Sequence, residues 1–116
     1  PPPPPPLPAA GSVVMGGGRI QYPKNAINEG AAGEVELEVY VPKGSTQAGD
    51  ITIKKSSGVE NLDQVARLTI ENGWTMEPLL EDYILSVTVV FSGPPRFEVG
   101  ILYDGIRYAK DGQPGD

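Results

Sequence analysis

A few groups of residues in this chain of 116 have types and spacing that could support chemistry. Gly16-Gly17-Gly18 could cradle a phosphate. Ser56 and Ser57 could act as nucleophiles. Asp63, Glu77, Glu81 and Asp82 could pair for acid–base work, and Glu34, Glu36 and Glu38 could hold a metal ion. Each group lacks something its chemistry needs. A phosphate loop follows a strand and continues into Lys-Ser or Lys-Thr, and neither holds for Gly16 to Gly18. The serines have no histidine to activate them, since the chain has none, and no serine–lysine pattern of the β-lactamase kind is present. Nothing marks partners for the carboxylates, and surface charges are far commoner than catalytic pairs. Alternate residues of a strand stand in a row about 7 Å apart, whereas a metal needs ligands that converge. Glu34, Glu36 and Glu38 therefore read as a solvated face. The expectation is a non-enzymatic chain without a cofactor.

The composition narrows the classes further. A chain of this length with 39% hydrophobic residues suits one modest domain plus a tail. The net charge of -6 repels phosphate backbones, so nucleic acid is not an expected partner. There is no cysteine, which excludes disulfides and the usual zinc sites. No apolar run is long enough to span a bilayer, and no secretory signal pattern is present. The chain opens on proline and reads as a piece of a longer protein.

The elements that would position any site follow from periodicity. Pro1 to Pro8 is proline except for Leu7, which predicts an extended polyproline stretch rising about 3.1 Å per residue. Gly11 to Gly18 reads as flexible. Pro23 to Glu29 reads as a short helix, with proline in its first turn and Gly30 just past its end. Val35, Leu37, Val39 and Val41 alternate with Glu34, Glu36, Glu38 and Tyr40, the signature of a strand with one buried face. A second strand is expected over Asp50 to Lys55. Asn61 and Gln64 have capping-box spacing ahead of a helix that reaches about Asn72 and buries Leu62, Val65, Ala66, Thr69 and Ile70. Trp74 follows as a core plug. The third strand runs from Tyr83 to Phe91. Phe97, Val99, Ile101 and Tyr103 alternate again, and Asp104-Gly105 signals a hairpin with a short return strand over Ile106 to Tyr108. Lys110 to Asp116 reads as frayed.

The order of these signals resembles the C-terminal domain of TonB-family energy transducers. The resemblance rests on Tyr22-Pro23 before the first helix and on Gly33-Glu34-Val35 at the first strand. It continues with Ser56-Ser57-Gly58, Leu62-Asp63, Trp74-Thr75-Met76-Glu77-Pro78 and the strand ending at Phe91. It departs from the family in the long Pro42 to Gly49 loop, in Met76 where phenylalanine is usual, and in the extra strand of the tail. The implied fold is α+β, a small antiparallel sheet with two helices on one face and a strand extension at the C-terminus. The expected division is a proline/glycine-rich linker over 1–18, the domain over 19–93 and the extension over 94–116.

The resemblance implies a periplasmic domain of a protein anchored in the inner membrane by an upstream segment. That segment would work with a motor of the ExbB/ExbD type. The domain would bind the TonB box of an outer-membrane transporter by strand addition. In the family the third strand is an edge. That points to Tyr83, Leu85, Val87, Val89 and Phe91, with Arg19, Ile20, Gln21 and Tyr22 as the flanking grip. The runner-up is a TonB- or TolA-like scaffold of a secretion or envelope complex. Residues Arg96 to Tyr103 are expected to fold back onto Tyr83 to Phe91 and cover that edge. The alternative is that they pair with a second copy as a strand-swapped homodimer.

Overall fold

The computed structural model describes residues 5–17 and 19–109. A 3-10 turn over Ala10–Val13 leads into strand β1, Val14–Gly16. Helix α1 (Lys24–Glu29), strands β2 (Gly33–Val41) and β3 (Ile51–Lys55) and helix α2 (Glu60–Gly73) follow. The chain finishes with β4 (Thr75–Met76), β5 (Tyr83–Phe91) and β6 (Val99–Tyr108). All strand pairs are antiparallel. The main sheet has the order β3-β2-β5-β6, and β1 pairs with β4 in a separate ribbon. The α+β expectation, with both helices on one face, holds.

The alternation of β2 sets the core. Val35, Leu37, Val39 and Val41 are buried, and β5 answers with Tyr83, Leu85, Val87, Val89 and Phe91 on the same face. The two strands pair from Gly33↔Phe91 to Val41↔Tyr83 without a break. Helix α2 lays a row at every fourth residue onto this face: Leu62, Ala66 and Ile70, with Trp74 at its C-cap. Helix α1 is only six residues long, too short to be stable alone. It ends on Gly30, whose φ of 68° suits the left-handed cap, and Ala26 anchors it in the core.

Several expectations need correction. The stretch from Gly11 is not a free tether over its described part. Val13 is fully buried, Val14 pairs with Met76, and the Glu77 amide donates to the Val13 carbonyl at 2.8 Å. Burying one valine in a ready-made socket outweighs the flexibility of the surrounding glycines. Pro1 to Pro4, Gly18 and Lys110 to Asp116 lie outside the described residues.

Helix α2 starts at Glu60 with no side-chain cap, so Asn61 and Gln64 do not form the expected box. Asp63 is turned instead toward Ser56 and Ser57. The second strand begins one residue late, at Ile51.

The Asp104-Gly105 hairpin is absent. The ladder runs Ser86↔Gly105 and then Val87↔Tyr103, so Asp104 is the extra residue of a β-bulge in one continuous strand. The Thr88 hydroxyl donates to the Asp104 carboxylate and fixes it there.

The tail does fold back on β5, from Val99 rather than Arg96. The third strand of the expected edge is therefore an inner strand, flanked by β2 and β6.

Candidate functional site

A strand-adding site needs an unpaired edge, and the sheet has two. β3 is short, and Lys54 and Lys55 guard it, a common defence against unwanted pairing. β6 is longer. From Val99 to Tyr103 it carries no charge, and Leu102 stands 56% exposed on the face away from the helices. Only β5 pairs with β6 among the described residues, so the outer amides and carbonyls of this half-strand form an open template. The Asp104 bulge shifts the register and limits an uninterrupted added ladder to that half.

The start of β6 is held by a turn and an aromatic wedge. Gly93, at φ 76°, lies so close to Ala32 that an added Cβ would sit 2.8 Å from the alanine Cβ. A cis Pro94–Pro95 peptide follows, and Phe97 takes φ 51°, a left-handed conformation that costs energy for a bulky residue. Its ring contacts hold it there. Tyr22 packs edge-on against both Phe91 and Phe97, with ring centroids 5.3 and 5.2 Å apart. The Tyr22 hydroxyl donates to the Ala31 carbonyl. Tyr22-Pro23 thus ties the entry of α1 to the turn before β6.

Arg19, Ile20, Gln21 and Tyr22 line one wall of an open groove, and Phe97, Glu98 and Val99 line the other. The predicted residues separate by role here. Arg19 and Gln21 are exposed and can touch a partner. Ile20, 2% exposed, is an anchor, and Tyr22 is a wedge. Tyr83, Leu85, Val87, Val89 and Phe91 turn their side chains into the core, and their strand is paired on both sides. Phe97 and Glu98 as a groove wall were not foreseen. Phe97 alternates with β6 in sequence, but its place beside Tyr22 depends on the turn.

Two of the four carboxylates considered for catalysis, Asp63 and Asp82, have structural partners. The Tyr40 hydroxyl and the Lys43 amide donate to Asp82, at 2.5 and 2.7 Å. The hydrogen bond to Asp82, with burial, raises the Tyr40 phenol above its ordinary value. Tyr83 donates to the Glu77 carbonyl at 2.7 Å, and burial beside Glu77 pushes its pKa to about 12. Among the described residues no cluster of carboxylates is placed to hold a metal. Glu34 and Glu36 are exposed, while Glu38 meets Arg107 at 3.2 Å.

Asp63 explains the Ser56-Ser57-Gly58 motif. Both serine hydroxyls donate to its carboxylate, as does the Ser57 amide at 2.9 Å. Burial pushes its pKa up, but these donors outweigh burial and hold it below the usual carboxylate value. A depressed folded pKa gives stability above the unfolded pKa of about 3.9 that is lost as pH falls through the folded value. Urea midpoints measured across this acid range should therefore fall less for Asp63→Asn than for the native chain. Parallel losses would mean that the serine cradle does not stabilise the charged form.

The family model described as Gram-negative bacterial TonB protein C-terminal matches residues 18–99. No curated protein and no solved structure matches. The matched segment ends on the first residue of β6, so the strand that covers β5 lies almost wholly beyond it.

Proposed function

Because the chain belongs to the Gram-negative bacterial TonB protein C-terminal family, a non-enzymatic periplasmic domain, we propose that it couples energy to outer-membrane transport by gripping an extended transporter segment through strand addition. The site is the outer edge of β6 from Val99 to Tyr103, flanked by Arg19 and Gln21. The unpaired, uncharged edge beside that groove carries this reading. Backbone hydrogen bonds give affinity with little sequence dependence, and alternate side chains select. Addition outside β6 costs less than replacing it. Replacement must break the ladder from Tyr83↔Tyr108 to Phe91↔Val99 and expose Tyr108 and Ala109. The load-bearing partner on the other side is an inner-membrane motor of the ExbB/ExbD type, reached through an upstream anchor. Ladder bonds pulled along the strand share such a load.

Titrating the isotope-labelled chain with a transporter-box peptide tests this. Amide shifts and new exchange protection are expected at Val99 to Tyr103, with side-chain shifts at Arg19 and Gln21. Loss of β6 protection while β5 stays protected would show replacement instead. No response to any box peptide would favour a scaffold of the TolA type.

A further inference from the structure

The residues before the family core pack on the residues after it. The Tyr108 hydroxyl donates to the Pro5 carbonyl at 2.5 Å. Leu7 and Ala10 are partly buried against the core. Gly11 lies against the Tyr103 ring, so close that an added Cβ would be 3.2 Å from Cδ2. The Trp74 and Tyr103 rings stand 6.3 Å apart, and Trp74 presses on Gly17. Ala9, which ends the proline-rich run, has φ -60° and ψ 145°, close to the polyproline II conformation.

This is the chemistry by which proline-rich peptides are recognised. Such a segment has few amides to offer, so a receptor must donate to its carbonyls and pack its rings and apolar side chains on aromatic surfaces. Tyr108 supplies the donor and Tyr103 the surface, and Trp74 backs the Tyr103 ring. We propose that Trp74, Tyr103 and Tyr108 form a recognition seat for a proline-rich extended peptide of the Pro-Pro-Leu-Pro kind, occupied here by the chain's own residues 5–11. Two of the three aromatic residues belong to β6. Occupation of the seat and attachment of β6 to β5 are therefore linked, and each stabilises the other by the same factor. The seat lies on the helix-side face of the sheet and shares Tyr103 with the outer edge of β6, through its side chain and not its backbone.

The test uses the full chain and hydrogen exchange. Tyr108→Phe removes only the hydroxyl, worth about one neutral hydrogen bond or roughly fivefold in an opening equilibrium. Gly11→Val leaves β6 unaltered and crowds the arm against the Tyr103 ring, weakening its seat. Both variants should speed exchange at Ala9 to Val14 and at Val99 to Tyr103 together, with β2 and α2 unchanged. Adding a peptide of residues 1–14 to the Gly11→Val chain should restore β6 protection and shift Trp74 fluorescence saturably. A peptide with serine at each proline should not. An arm that loosens while β6 stays protected would overturn the linkage. A chain that ignores the proline peptide would overturn the seat.

Discussion

Trp74→Ala is expected to lower the free energy of unfolding by about 3–5 kcal/mol, measured by urea denaturation followed by circular dichroism. Trp74 is 5% exposed and continues the α2 row of Leu62, Ala66 and Ile70. Its amide closes the helix by donating to the Ile70 carbonyl at 3.3 Å. Its ring meets Gly17 and faces Tyr103, so the truncation also removes support from the arm and from β6. Small domains hold roughly 5–15 kcal/mol in total, so this one change should leave a marginal fold. Leu80→Ala, at a site 78% exposed, is the control and should change little. A loss below about 1 kcal/mol for Trp74→Ala would mean that the ring is a surface cover and not part of the core.

Ending the chain at Ser92 should convert it from a self-contained sheet into an associating one. β5 is long and largely apolar, and the truncation strips its amides and carbonyls of a partner. The half-buried Val99, Ile101 and Ile106 and the buried Tyr108 also go. Together they are worth about 5 kcal/mol by area. Sedimentation equilibrium should show a mass that rises with concentration, where the full chain stays constant. A truncated chain that is monomeric at every concentration would show that something other than β6 protects the edge. The same result bears on strand-swapped pairing. Exchange of strands between copies requires a free β5 edge, and β6 supplies that partner within the chain.

Much of this was readable from the residues, and the failures share a cause. The β2 and β5 faces follow from strict alternation, which burial then obeys. The α1 boundaries follow from Pro23 and Gly30, whose backbone preferences act locally. Asp104-Gly105 misled because the local turn preference competes with a partner strand of full length. A continuous strand without the extra residue would turn Ile106 and Tyr108 to the outer face. The bulge flips the parity and returns both to the core side. Asn61 misled for a similar reason: Asp63, captured by Ser56 and Ser57, settles the start of α2 from outside the helix. Val13 was hidden because the three-residue apolar run Val13-Val14-Met15 is too short to show a period.

The site was legible in part. Tyr22-Pro23 marked the right corner, but which residues face it depends on the turn from Gly93 to Phe97. The family's edge strand is an inner strand here, as the expected fold-back of the tail implies, and that moves the open edge to β6. The one strand that decides it lies in the tail.

The hydrogen bond between Pro5 and Tyr108 joins residues 103 positions apart. Contacts that distant are the last a chain gains, since the entropy of loop closure must first be offset by everything between them. β5 and β6, joined by a short turn, can zip early, whereas the arm can dock only on a finished sheet. Refolding should therefore show a late step in which far-ultraviolet dichroism is already native while Trp74 fluorescence still changes. In the native state, the reverse of that step should be the first opening the molecule makes, and it should loosen β6 with it.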